Sequence, residues 1–481
     1  MSTIVNESLT ESRTVARGHS WGALLVLIAG IFIVTLDFFI VNVAIPATQA
    51  DLHASSSAVQ FVVAGYGLSL AALLITAGRL GDLYGRRRLF TLGLGLFTLA
   101  SAACGAAPTA GVLIAARVVQ GGAAALMLPQ ALGIIQVTYS GEKLTKAFKA
   151  YGLAIGLGAV FGQLIGGALI KADVFGLGWR SIFLINIPVG IAAVAGALRL
   201  LPESRADGAS TRIDALGTVL VSLGLVAIVL PLVEGQQQGW PLWTWLCLSA
   251  ALPLLAGFAY HQRRMTRRGG APLVHLGLFA ERAFSAGIAL TVLFQMTMAS
   301  FFLVLALYLQ DGRGLSALES GAIFLPMGLG YFLGTTHAPR IAARLGRHVL
   351  SLGGLVIAAG YGALALVVHG IGNHGAVTWV IPAFLVAGYG MGIYIVPSTP
   401  IILAGVEPEH AASASGILST AQQAGGAIGV AVIGVVFYNT LGSHPVPAHI
   451  PHAFGNGLEL LVALSLGVAA LSQLLPKAAQ H

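Results

Sequence analysis

Hydrophobic and polar positions alternate on a coarse scale along this chain: apolar runs of about twenty residues are separated by short polar breaks. That is the length an α-helix needs to cross about 30 Å of hydrocarbon. Runs fall at about 21–45, 57–77, 89–107, 110–135, 149–170 and 181–200, then at about 213–233 and 241–260. Six more follow, at about 284–309, 318–337, 349–368, 378–403, 413–438 and 456–475. The pattern predicts an all-α polytopic membrane protein of about fourteen spans. The polar first twenty residues, with Arg13 and Arg17 ahead of Trp21, lead into an apolar run too long for a signal-peptide core, so that run is read as a retained first span.

Composition agrees. Of 481 residues, 57% are hydrophobic and 9% charged, and the mean hydropathy is +0.87. The polar breaks sort the charge. With a cytoplasmic amino terminus, the loops RLGDLYGRRR, EKLTKAFK, RLLPESRADGASTR, HQRRMTRRGG and PRIAARLGRH all face the cytoplasm and the alternate loops are nearly bare. About twenty-one of the twenty-five Lys and Arg are then inside and about three outside, which orients the chain with both termini cytoplasmic. The net charge of +8 therefore needs no nucleic acid. Cys104 and Cys247 both lie in apolar runs and read as packing residues. Sixty-three glycines and nineteen prolines suit helices that pack closely and bend.

An internal echo divides the chain. AGRLGDLYGRR (Ala77 to Arg87) aligns with APRIAARLGRH (Ala338 to His348), each after one apolar span and before another, with Ala343 where the first copy has Asp82. Two six-helix bundles, 21–205 and 266–476, with two inserted transmembrane helices at 206–265 and tails at 1–20 and 477–481, account for the count and the spacing.

Several stretches carry a resemblance. GRLGDLYGRRR (Gly78 to Arg88) is similar to the signature loop between helices 2 and 3 of the major facilitator superfamily. LDFFIVNVAIP (Leu36 to Pro46) is similar to the helix 1 motif of that superfamily's fourteen-helix branch of drug:proton antiporters, with Phe39 where threonine is usual. RVVQGGAAA (Arg117 to Ala125) resembles the helix 4 motif, and WRSIFLINIPVG (Trp179 to Gly190) the entrance to helix 6. The helix 5 antiporter motif is a glycine repeat with a central proline. Here GAVFGQLIGG (Gly158 to Gly167) keeps the glycines but has Gln163 in the proline's place. Gly158, Gly162 and Gly166 lie four apart on one helix face, with Gly167 beside them, suited to close backbone approach in tight packing or in gating. The resemblance implies a multi-pass protein of the bacterial inner membrane. It also implies that the loop holding Gly78, Gly81, Asp82, Gly85, Arg86 and Arg87 latches the two halves when the cytoplasmic side is closed.

The charges inside the spans ask for a reason. An ionised carboxylate near the bilayer centre costs at least about 2.5 kcal/mol, so such residues mark ion pathways or partners by default. Asp37 lies roughly 12 to 14 Å below the outer end of its helix and Arg117, on an antiparallel helix, roughly 10 Å below its own. The matching depths place both on one water-filled cavity as a proton-coupling pair; a static ion pair that fixes packing is the competing explanation. Asp82 is expected against the positive end of the helix beginning near Ser413 and Ser415, a contact of about 0.3 to 1 kcal/mol. Gly81 and Gly85 would supply the tight turn there, while Arg86, Arg87 and Arg88 are also explained by positive-inside bias alone. Glu319 is a candidate second coupling acid, although Glu319 and Glu234 both sit where interfacial residues sit. His337 either titrates or snorkels, and HPVPAHIPH, with His444, His449 and His452, reads as a Pro-rich outer loop rather than a metal site. Phe38, Asn42, Gln120, Phe294 and Met298 are candidate substrate-cavity residues, with core packing as the ordinary alternative for the apolar ones.

No Walker A loop or HExxH occurs, and the loops are too short to hold a catalytic domain, so an enzyme is disfavoured and an ion gradient is the expected drive, with no cofactor. The leading reading is a monomeric exporter that exchanges protons for a lipophilic, cationic or zwitterionic small molecule. Uptake by symport or facilitation, narrow export of one natural product, and a non-transporting membrane scaffold are the alternatives.

Overall fold

The apolar runs fold as helices. The computed structural model describes residues 2–205, 214–235, 238–270, 272–372, 375–403, 406, 411–442 and 447–476. Its side chains are described from Trp21 onward, other than those of Ile75, Asp82, Thr145, Phe148, Lys149, Val160, Ala411, Ala412, Ser413 and Ser415. The helices are α1 (Ser2–Asp51), α2 (Ser56–Tyr84), α3 (Arg86–Gly105), α4 (Ala110–Thr138), α5 (Gly141–Ala172) and α6 (Gly178–Leu200). Then come α7 (Ala215–Glu234) and α8 (Leu242–Arg267). The last six are α9 (Arg282–Gly312), α10 (Ala317–Leu345), α11 (His348–Ile371), α12 (Val377–Leu403), α13 (Ala411–Leu441) and α14 (Ile450–Leu474). Among the described residues, thirteen segments are long and apolar enough to cross a membrane, and α5, bent by 44° between Ala150–Ala159 and Phe161–Ala172, is the fourteenth.

Capping residues fix where the spans stop. Ser55 and Thr109 accept the backbone N–H of Ala58 and Val112 at the starts of α2 and α4. At α10, Ser316 and Glu319 form a reciprocal capping box. The signature loop is shorter than the sequence suggests. Gly78, Gly81 and Asp82 are helical, α2 runs on to Tyr84, and the turn is Gly85 alone, at φ +108°, where any side chain is strained. Gly81 serves contact rather than turning: a Cβ there would run into the Gln130 side chain of α4.

Within the first six helices α2 and α3 pack on α4, α5 packs on α1, and α6 packs on α1 and α3; within the last six α10 and α11 pack on α12, α9 on α13 and α14, and α11 on α14. The inserted pair α7–α8 leans through α7 on the seam between α2 and α13. Hereafter the basic end is the end carrying the arginine-rich loops. The opposite end is charge-poor. One apolar core joins Leu36, Phe39, Ile40 and Val59 of the first six helices to Phe301, Phe302, Leu303 and Ala427 of the last six. Toward the basic end the described cores are separate, one built on Leu27, Phe90 and Ile134 and another on Phe284, Ile402 and Leu418.

Candidate functional site

Asp37 sits near the middle of the membrane-crossing part of α1, Trp21–Asp51, and the antiparallel run of α4 brings Arg117 to its level. Both side chains are fully buried, at 0% exposure. Arg117 donates from Nη1 to Asp37 Oδ2 at 2.5 Å. Gln120, one turn along α4, donates from Nε2 to Asp37 Oδ1 at 2.9 Å, and Asn186 of α6 donates from Nδ2 to the same oxygen at 2.8 Å. Every polar neighbour named here is a donor, so the arrangement suits an ionised carboxylate, which only accepts. Ser101 of α3 takes both amides, from Gln120 at 2.8 Å and Asn186 at 3.2 Å. Three helices of the first bundle, α1, α4 and α6, therefore meet on one carboxylate, and α3 joins them through Ser101.

Arg117 is held on several sides. Its Nε donates to the Val62 carbonyl of α2 at 3.0 Å and its Nη1 to Gln120 Oε1 at 2.7 Å. Its guanidinium lies 4.2 Å from the ring centre of Tyr66 and 5.8 Å from that of Phe183. Nη2 is buried without a partner, as is Asn186 Oδ1. Burying two charges costs several kcal/mol per ion, and only a closely hydrogen-bonded set offsets that. The pairing expected from matched depth is thus present. The water-filled cavity expected around it is not: in this conformation packed side chains cover both ions, leaving no water-exposed surface on either.

The other expected residues distribute as follows. Asn42 is buried but turns back on its own helix, donating to the Phe38 and Phe39 carbonyls at 3.3 and 3.2 Å, and does not line an open cavity. Phe38 packs on Phe39 and Tyr66, Phe294 stacks on Tyr394 at 4.2 Å, and Met298 is half-buried. Glu319 lies apart from the Asp37 network, exposed, with its carboxylate accepting the Ser316 N–H and hydroxyl at 2.8 and 2.7 Å. Its place is a helix cap. Arg86 reaches the Gly133 carbonyl of α4 at 3.5 Å, and the Arg87 backbone N–H donates to Glu203 at 3.1 Å. Gly78 faces Pro129. The Asp82 contact with Ser413 and Ser415, and His444, lie outside the described residues. His337 meets the Tyr389 hydroxyl at 3.1 Å.

The glycine face of α5 is used within its own bundle. Added Cβ atoms at Gly158, Gly162 and Gly166 would press on Thr35, on Phe39 and on Val43 and Ile40 of α1. Gln163, in the expected proline's place, donates across to the Phe39 carbonyl at 3.1 Å. The helix bends without a proline. Gly167 turns instead toward the other bundle, where a Cβ would strike Ala317 and Leu318 of α10, and Gly321 of α10 is closed in by the Gln163 carbonyl. Other cross-bundle contacts join Gln310 Nε2 to the Val43 carbonyl at 2.9 Å and set Gln60 where a Gly434 side chain would stand.

Sequence reasoning missed Asn186, Ser101 and Tyr66 as partners of the pair. Each is a polar-tipped residue inside an apolar span, and that was the available signal.

Two six-helix bundles meeting at a seam, with an inserted helix pair and a buried ion pair in the first bundle, define a secondary-transporter fold among the described residues. Family comparison agrees, because residues 27–430 match the model of the Major Facilitator Superfamily, and the chain belongs to that family. It is 41% identical over 425 residues to a probable actinorhodin transporter of Streptomyces coelicolor, covering 88% of this chain and 73% of that one. It is 36% identical over 465 residues to the puromycin resistance protein Pur8 of Streptomyces alboniger, covering 95% and 90%. A tetracenomycin C resistance and export protein of Streptomyces glaucescens is 35% identical over 428 residues, covering 89% and 77%. Among solved structures, a POT family transporter in complex with 5-aminolevulinic acid superposes with a TM-score of 0.68 over 94% of this chain and 96% of that one, at 16% identity. An inward-facing, unoccupied bacterial homologue of the lysosomal transporter Spinster reaches 0.64 over 95% and 98%, also at 16% identity.

Proposed function

We propose that the protein exports a lipophilic small molecule, of antibiotic type, in exchange for protons by alternating access. The buried Asp37–Arg117 pair carries this reading. Ionised, the carboxylate accepts from a cation at 2.5 Å. Once protonated it no longer holds Arg117, so α1 and α4 lose their strongest bond and the bundle is freed to rearrange. Because both ions are covered here, proton exchange belongs to other conformations of the cycle. The shared core at the charge-poor end and the separate cores toward the basic end support a state closed outward, with the basic end cytoplasmic and the two six-helix bundles as the rocking bodies.

Three relatives named for an antibiotic's transport, export or resistance favour one antibiotic, or a narrow set, over a broad range of cations as the substrate. The test is cellular. Cells expressing the chain should retain less of a substrate drawn from a panel of dyes and antibiotics, a protonophore should abolish the difference, and Asp37→Asn should do the same without loss of protein from the membrane. Efflux that persists undiminished in Asp37→Asn would sink the proton-exchange role.

A further inference from the structure

A groove of about 410 Å³, the size of a small-ligand site, runs along the membrane face of α3. It is lined by Arg87, Arg88, Thr91, Leu92, Gly95, Leu96, Leu99 and Leu198. α3 packs on α4, α6 and α2, and this strip is the part those helices leave uncovered: Leu92, Leu99 and Leu198 are 54%, 68% and 60% exposed. Gly95 opens the floor, since a Cβ there would meet nothing within 4 Å. From Arg88 to Leu99 the helix rises about 16 Å, close to the depth of one leaflet's hydrocarbon, about 15 Å. The two cations therefore stand at headgroup level and the apolar walls run from there to the midplane.

The charge is partly balanced. Glu203 lies 3.8 Å from Arg87 Nε and 3.7 Å from Arg88 Nε, so one carboxylate faces two guanidinium groups. Arg87 also reaches the Leu201 carbonyl at 3.4 Å. The Arg88 side chain, 66% exposed, has Glu203 as its only ionic partner among the described residues. Exposed Arg199 follows Leu198 on α6 and adds a further positive charge at the same end. A net cationic rim over an apolar trough is complementary to an anionic phospholipid, with phosphate on the arginines and an acyl chain in the groove.

We infer that the α3–α6 groove is a binding site for an anionic phospholipid of the leaflet at the basic end. The headgroup end of the groove begins at Arg87, two residues past the Gly85 turn. Its headgroup competes with Glu203 for Arg87 and Arg88, so lipid charge and the setting of the signature turn are coupled.

Native mass spectrometry of the full chain in detergent tests this, titrating dioleoyl phosphatidylglycerol against dioleoyl phosphatidylcholine. Phosphatidylglycerol should remain bound at a concentration at least about fivefold lower, the preference expected from one basic residue near an anionic headgroup. Arg87→Gln/Arg88→Gln should abolish that preference, and Gly95→Leu, which fills the trough but keeps both charges, should weaken retention of both lipids. Arg263→Gln/Arg264→Gln, at the same end on α8, should change nothing. Each variant is first matched to wild type in melting temperature; if the arginine pair proves unstable, Gly95→Leu decides alone. An unchanged preference in the Arg87/Arg88 variant, equal loss in the Arg263/Arg264 variant, full retention in Gly95→Leu, or glycerol phosphate competing as well as the whole lipid would each overturn the site.

Discussion

Three donors converge on Asp37, and each acts differently. Arg117 supplies charge, while Gln120 and Asn186 fix the second oxygen and are fixed in turn by Ser101. Asn186→Leu removes one donor from a buried, ionised acceptor. A hydrogen bond to a charged group is worth about 1.5 to 3 kcal/mol, above the average of about 0.6 kcal/mol between membrane helices. The ionised acceptor has no water to fall back on, so the larger figure governs. Asn186→Leu should therefore lower the melting temperature of the purified protein measurably, and Leu366→Ala, at an exposed apolar position, should not. Depth along two helices was enough to pair Asp37 with Arg117 from the sequence. It could not supply Asn186 or Ser101, because a residue's depth does not say how its helix is rotated about its own axis.

The spans were legible as elements, since each needs an apolar run of fixed length, and among the described residues fourteen helices, counting the bent α5, stand where fourteen were expected. Their ends were less legible. α2 overruns its apolar run because Arg79 reaches out of the helix to the Pro272 carbonyl, at 2.5 Å, and Gln130 packs against Gly81. The inserted pair has a polar anchor of its own at the basic end. Asp214, buried, caps α7 by accepting the Gly217 N–H at 2.8 Å, and bonds His261 at 2.7 Å and Gln262 at 2.6 Å. Gln262 in turn accepts the Val274 N–H at 3.1 Å. Burial acts to raise the Asp214 pKa, but the bonds from Gln262, Gly217 and His261 together hold it below its ordinary value. The sign follows from that depression. The contribution to stability is present in full above the unfolded carboxylate's pKa, about 3.9, and fades as pH falls through the lower folded value. Asp214→Ala should cost about 1 kcal/mol or more near pH 7, the ordinary worth of a helix cap. The gap to wild type should narrow in thermal melts below about pH 4. A gap that stays constant down to pH 2 would contradict the anchor.

At the scale of the whole molecule, the bundles are joined by backbone approaching backbone where glycine permits it. Gly321 of α10 lies against the Gln163 carbonyl, so close that an added Cβ would sit 2.6 Å from it. This contact was invisible in the sequence because it joins two segments that share no motif and no charge. Gly321→Val should keep the charge-poor end from closing. A cysteine placed at Gln60, buried here, should then react faster with a membrane-impermeant maleimide added outside than the same cysteine on the unsubstituted background. Equal rates would mean that the contact does not close that end. The central claim, proton exchange on one buried carboxylate, is tested most directly in proteoliposomes holding wild type or Asp37→Asn with a substrate taken from the cellular panel. The account predicts that an imposed pH gradient drives accumulation in wild type alone, while exchange of labelled for unlabelled substrate at equal pH survives in both. Gradient-driven accumulation of equal extent in Asp37→Asn would contradict it.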